Sequence, residues 1–196
     1  MDFNQCFAIL QERAQAGPSV LTAANLPPAP RASLPEVLKN SEDLTSSGSI
    51  QLIKRFNELQ TERIKTYKYF DQELNDLIEA NAPARYPLIC TEVTQRFSQI
   101  SVSINAIRDE IIRRGHNEIG QAMTKVQSAE KDKLMLVAAH HLDQLKSTVL
   151  KGTESVTGEK TEEQVVYLAQ QIATVQATIE EALEDIRCNV CDLVDE

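Results

Sequence analysis

Between residues 165 and 193 the chain reads VVYLAQQIATVQATIEEALEDIRCNVCDL. Its apolar residues fall at Val165, Leu168, Ile172, Val175, Ile179, Leu183, Ile186, Val190 and Leu193. The steps alternate between three and four. On a helix of 3.6 residues per turn they line up as one narrow apolar seam, the pattern by which long helices pack side by side. The same spacing recurs upstream in three further segments. Ile53, Phe56, Leu59, Ile64, Tyr67, Phe70, Leu74 and Leu77 mark a helix from about Ser49 to Ala80. Ile89, Val93, Phe97, Ile100, Ile104, Ile107 and Ile111 mark one from Tyr86-Pro87 to Gly115. Ile119, Met123, Val126, Leu134, Val137, His141, Leu145 and Val149 mark one from Asn117 to Leu150.

The boundaries carry signals of their own. Ser49 is a natural N-cap, Asn81-Ala82-Pro83 breaks the first helix, and Pro87 suits the first turn of the second. The stretch from Gly152 to Gly158 reads as a loop. Thr161 is expected to cap the fourth helix, with Glu162 and Glu163 favouring the positive end of its dipole. Short connections between rods of roughly 45–50 Å predict antiparallel neighbours. The fold class is therefore all-α: an elongated antiparallel bundle or coiled coil of four long helices over residues 49–196. Each seam occupies two positions in seven, which strains to fill a four-helix core. Hairpins of coiled coil, or a partner that completes the core, are the alternatives.

Residues 1–16 form a short N-terminal helix on this reading, with Phe3, Phe7 and Leu10 at helical spacing before Gly17-Pro18. Residues 17–48, with Pro27, Pro28, Pro30, Pro35 and then Thr45-Ser46-Ser47-Gly48, read as a flexible linker holding a short helix near Pro35–Leu44. The N-terminal helix is either a docking peptide for a partner or a segment that folds back onto the bundle.

Composition narrows function by exclusion. No run approaches the ~18 apolar residues of a membrane span, and Met1-Asp2-Phe3-Asn4 lacks the basic start of a secretory signal. An intracellular protein, nuclear or cytoplasmic, is expected. The net charge of −9 is unevenly spread. Residues 152–196 carry 2 basic and 11 acidic groups, whereas residues 81–151 carry 10 and 7. Pairing of the acidic last helix with the basic middle is the simplest account.

No catalytic constellation emerges. Cys188-x-x-Cys191 lacks two further zinc ligands and lies within a helix among Glu184, Asp185 and Asp192, which disfavour a thiolate. His140 and His141 point about 100° apart and miss the i, i+4 spacing of a zinc helix. There is no phosphate-binding glycine loop, and no cofactor or metal is expected. A non-enzymatic protein follows. Arg108, Arg113, Arg114 and Lys125, with His116, cluster around the turn between the second and third helices, a placement suited to phosphates or an acidic partner. Direct nucleic-acid binding is the lesser reading, because no aromatics interleave and the pI is near 4.9.

Three runs on successive helices stand out together. They are Phe56-Asn57-Glu58-Leu59-Gln60-Thr61-Glu62-Arg63-Ile64-Lys65-Thr66-Tyr67, then Tyr86 followed by Glu92-Val93-Thr94-Gln95-Arg96-Phe97-Ser98-Gln99-Ile100-Ser101, then Ala129-Glu130-Lys131-Asp132-Lys133-Leu134-Met135-Leu136. Together they resemble the "required for excision" B-type (Rex-one-B) family of DNA repair proteins. The resemblance covers roughly residues 50–145 and extends toward Leu193. It implies a role in excision repair exercised through protein–protein contacts with repair factors, and it supplies no catalytic residues. The alternative is a coiled-coil scaffold subunit of another large assembly, cytoskeletal or trafficking; self-association is compatible with either. Phe56, Leu59, Tyr67, Phe97, Ile100 and Leu134 are accounted for by packing. Gln60, Arg63, Thr94, Glu130 and Lys133 are polar positions beside the seams, suited to fixing helix register or contacting a partner.

Overall fold

The computed structural model describes residues 44–150 and 157–191, with side chains for 44–148 and 163–191. Four long helices carry it: α1 (Ser49–Glu79), α2 (Tyr86–Arg113), α3 (Asn117–Leu150) and α4 (Thr157–Cys191), with a single 3-10 turn, Pro83–Arg85, before α2. No strand occurs among the described residues. The N-terminal helix, most of the linker with its short helix, and Leu193 lie outside those residues.

Two connections are closed by the same device. After α1 the chain turns through Asn81 at φ 48, with Ala82 N–H bonded to Leu77 O and Asn81 N–H to Ile78 O. After α2 it turns through Gly115 at φ 93, with His116 N–H bonded to Ile111 O and Gly115 N–H to Ile112 O. A left-handed residue just past the helix end lets two N–H groups satisfy the last carbonyls and reverses the chain sharply. The tight turns make α1, α2 and α3 antiparallel neighbours, and α4 returns along α3.

Two capping expectations are corrected. Gly48, extended at φ −67 and ψ 157, occupies the N-cap of α1. Ser49 is already helical, and its hydroxyl meets His116 Nε2 at 3.1 Å instead. At the other helix, α4 begins at Thr157, so Thr161 lies one turn inside it.

The core forms two apolar clusters. Near the α1 N-terminus, Leu52, Phe56 and Leu59 meet Ile104, Ile107 and Ile111 of α2, Met123 and Val126 of α3, and Ile179, Ala182 and Ile186 of α4. At the other end Phe70, Leu74 and Leu77 meet Tyr86, Ile89, Val93 and Phe97 of α2 and Leu134, Val137 and Leu145 of α3, with Ile172 of α4 alongside. Each fully buried aliphatic or aromatic side chain contributes about 1.5–3 kcal/mol of transfer free energy.

The seams are wider than two in seven. Leu52 and Ile53, Ile89 and Cys90, Ala122 and Met123, and Val137 and Ala138 are buried as adjacent pairs. Three helices thus present the broad face a four-helix core requires. The fourth helix keeps a narrow seam, in which Val175, Leu183 and Val190 are only half-buried.

One member of the first stripe faces outward: Ile64 is 56% exposed. The step from Leu59 to Ile64 is five residues, which turns Ile64 away from the stripe. The inward position at that level belongs to Arg63. A similar gap on α3, between Val126 and Leu134, is filled by Glu130.

Candidate functional site

Arg63 and Glu130, set into the two gaps, organise a polar layer between the apolar clusters. Arg63 retains 2% of its surface and crosses the core from α1. Its Nη1 donates to Gln60 Oε1 at 3.3 Å, and its Nη2 donates to Ser101 Oγ on α2 at 3.2 Å and Gln127 Oε1 on α3 at 2.6 Å. Gln127 in turn donates from Nε2 to Ser101 O at 3.1 Å and Asn105 Oδ1 at 3.2 Å. One guanidinium therefore ties three helices at one level.

Glu130 faces the same level from α3. Tyr67 O–H donates to its Oε2 at 3.0 Å, and Lys133 Nζ lies 4.1 Å from the centre of the Tyr67 ring. Lys133 also donates to Gln176 Oε1 at 2.8 Å, which extends the network to α4. Burial holds the Arg63 guanidinium below its ordinary pKa, with Glu130 opposing the shift. Burial likewise lowers Lys133, again opposed by Glu130. Burial and then the Glu130 carboxylate raise the Tyr67 phenol, which stays a donor at any physiological pH.

Two atoms in this layer, Gln60 Nε2 and Arg63 Nε, are buried without a hydrogen-bond partner among the described residues. A cleft of about 170 Å³ between α2 and α3 opens over the guanidinium, bounded by Phe97, Ser101, Gln127 and Leu134. Of the five polar positions singled out in the sequence, Gln60, Arg63, Glu130 and Lys133 meet here. Thr94 is half-buried on α2, with no hydrogen bond to the layer. Ser101, Asn105 and Gln127 complete the layer. Each sits one residue beyond a stripe member, where apolar spacing gives no signal.

The basic residues at the α2–α3 turn take several partners. Glu110 accepts from Arg113 Nε at 2.7 Å and Arg113 Nη2 at 2.6 Å, and from Arg114 Nε at 2.7 Å. These hydrogen bonds, then the two positive charges, hold its carboxyl down at about 2 against a smaller opposing effect of desolvation. Arg114 Nη2 also donates to the carbonyls of Leu44 (2.9 Å) and Thr45 (3.3 Å), fastening the end of the linker to the bundle. Arg108 pairs with Asp109 at 2.8 Å and reaches Asn105. Lys125 lies 3.5 Å from Asp185 on α4, the kind of α3–α4 pairing the charge distribution predicts. The arginines instead pair within α2.

Cys188 and Cys191 are exposed on α4, where their thiols face Glu184 and the Arg187 carbonyl. His141 is packed on Phe70 and Tyr86 and bonds Asp71 at 3.0 Å. Among the described residues no group of three or more His, Cys, Asp or Glu side chains could hold a metal ion. No described helix is long and apolar enough to cross a membrane.

The class defined by these features is an all-α protein of four long helices joined at mid-length by a buried, largely self-satisfied polar layer. Residues 51–144 match the family described as DNA repair REX1-B, so the resemblance carried by the three sequence runs is shown. The matched span contains the Arg63–Glu130 layer and ends within α3. Neither a curated protein nor a solved structure matches the chain.

Proposed function

We propose that this chain is a non-catalytic adaptor in DNA excision repair that works by binding repair proteins. The family match over residues 51–144 carries the reading. The arrangement of side chains supports it: the buried polar groups are mostly spent on joining helices. The surface of α1, α2 and α4 meanwhile offers exposed apolar side chains at Ile64, Leu88, Val102, Val166 and Tyr167. Protein contacts are preferred to nucleic-acid contacts because Arg108, Arg113, Arg114 and Lys125 each already engage a carboxylate. A phosphate backbone would compete with those pairs for its charge.

The test is affinity purification of the tagged chain from cells with and without ultraviolet damage, read by mass spectrometry. Damage-enriched excision-repair factors, together with ultraviolet sensitivity of a null mutant, are the expected result. A damage-independent set of cytoskeletal or trafficking proteins, or normal repair in the null mutant, overturns the proposal. Charge reversal at Arg113 and Arg114 separates the nucleic-acid reading. Salt-dependent DNA affinity that collapses on reversal would establish direct contact.

A further inference from the structure

The bundle is not closed equally on all sides. Along the edge between the N-terminal half of α1 and the C-terminal half of α4 runs a groove of about 340 Å³. It is lined by Ile53, Phe56 and Gln60 on one side and Leu183, Ile186 and Val190 on the other. Two features mark it as an unfinished contact. Leu183 and Val190 belong to the α4 seam yet stay half-buried, and Gln60 Nε2 on its wall is a buried donor with no acceptor. An unsatisfied buried donor and a half-covered apolar seam both mark packing that is incomplete at this edge.

We propose that residues 3–10 of this chain dock in that groove as a short amphipathic helix. Phe3, Cys6, Phe7 and Leu10 stand at i, i+3, i+4 and i+7, a single apolar stripe two turns long. Helix-in-groove recognition uses just such anchors. The tether ends in the right place. The chain enters the bundle at Leu44, which packs on the first core cluster while Arg114 holds its carbonyl. This is the end where α1 begins, and the groove residues Ile53 to Gln60 lie only about 6–17 Å along the axis from Ser49. Residues 11–43 supply the tether. At about 3.3 Å per residue a chain of that length reaches at most roughly 110 Å, several times the distance required. The groove is therefore within reach, and tethering gives the segment a large effective concentration there. A second copy, or a helix of another protein, would have to displace it.

The chain carries its own probes. Cys191 lines the groove, Cys6 lies in the proposed docking stripe and Cys90 is buried elsewhere; exposed Cys188, one turn from Cys191, is replaced by serine throughout so that the two cannot be linked to each other. The dilute full-length protein is treated with a short bismaleimide and its peptides are sequenced by mass spectrometry. The expected result is an intramolecular Cys6–Cys191 link in monomer-sized protein. In Phe7→Asp the yield falls about tenfold or more, because the apolar anchor is lost and Arg187, which also lines the groove, is already paired with Glu184. That variant should melt with the wild-type bundle, and monofunctional maleimide should label its Cys6 and Cys191. Absence of the link, equal yield in Phe7→Asp, or a link confined to dimers overturns the proposal. The dimer outcome assigns the groove to a second copy.

Discussion

Replacing Arg63 by Met tests whether the polar layer holds the helices together. The methionine keeps the length of the stem and removes the guanidinium with its three hydrogen bonds. The short bond to Gln127 is worth about 2 kcal/mol, as a charge-assisted bond, and the two longer ones about 1 kcal/mol each. Against that gross loss stands relief of the desolvation that depresses the Arg63 pKa. Substituting buried charges by apolar side chains has recovered about 1–4 kcal/mol elsewhere. Ser101 and Gln127 border a cleft, so water can replace part of what they lose. The balance is a loss of about 2 kcal/mol, or roughly 4–8 °C in Tm for a chain of this size. Thermal and urea melts of Arg63→Met, Gln127→Leu and the double variant measure it. The double variant should be less destabilised than the sum of the singles by about 1–3 kcal/mol, because either change alone orphans the other partner. An Arg63→Met protein as stable as wild type, or strictly additive variants, would refute the claim that this guanidinium joins three helices.

Ile104→Asp places an unpaired carboxylate where no surface is exposed and should lose about 4 kcal/mol or more in a urea melt, whereas Val102→Asp, 66% exposed, should stay within about 0.5 kcal/mol. The folded-state pKa of Glu110 is lowered to about 2. Its contribution is therefore present above the ordinary carboxylate range and is lost as pH falls through that range toward 2. Glu110→Gln should flatten that part of the stability–pH curve and speed amide exchange in residues 45–48, and an unchanged curve would refute a stabilising role for the Glu110–Arg113–Arg114 pairs. Gly120→Ala drives a methyl into the Ile112 side chain. It should destabilise by about 1–3 kcal/mol despite alanine's helix propensity, and Ile112→Ala in the same chain should restore the melt.

The helices themselves were plainly legible in the sequence, because apolar spacing is a local property. Every α2 stripe residue from Ile89 to Ile111 is buried as the spacing requires. Legibility failed where the period broke. Counting Ile64 as a stripe member hid the five-residue step that leaves Arg63 inside. The analogous gap before Leu134 pointed to Glu130 without saying what it met. Gln60, Arg63, Glu130 and Lys133 were recognisable as polar positions beside the seams. Their joining into one layer depends on the relative offset of α1 and α3, which no single helix encodes. Ser101, Asn105 and Gln127 gave no signal, since a polar residue next to a stripe is ordinarily solvated. The caps failed for a different reason: Ser49 suits an N-cap, but Gly48 adopts the extended geometry one residue earlier and frees the hydroxyl for His116.

The family match stops inside α3, yet Ile179, Ala182 and Ile186 of α4 lie against Phe56, Met123 and Val126 within it. The matched part of the chain is thus a three-rod unit with one greasy side, and the rod that roofs this side lies beyond it in the sequence. Changes in α4 retune how firmly the side is shut, and what is admitted under its edge, while the three rods and their central rivet stay as they are.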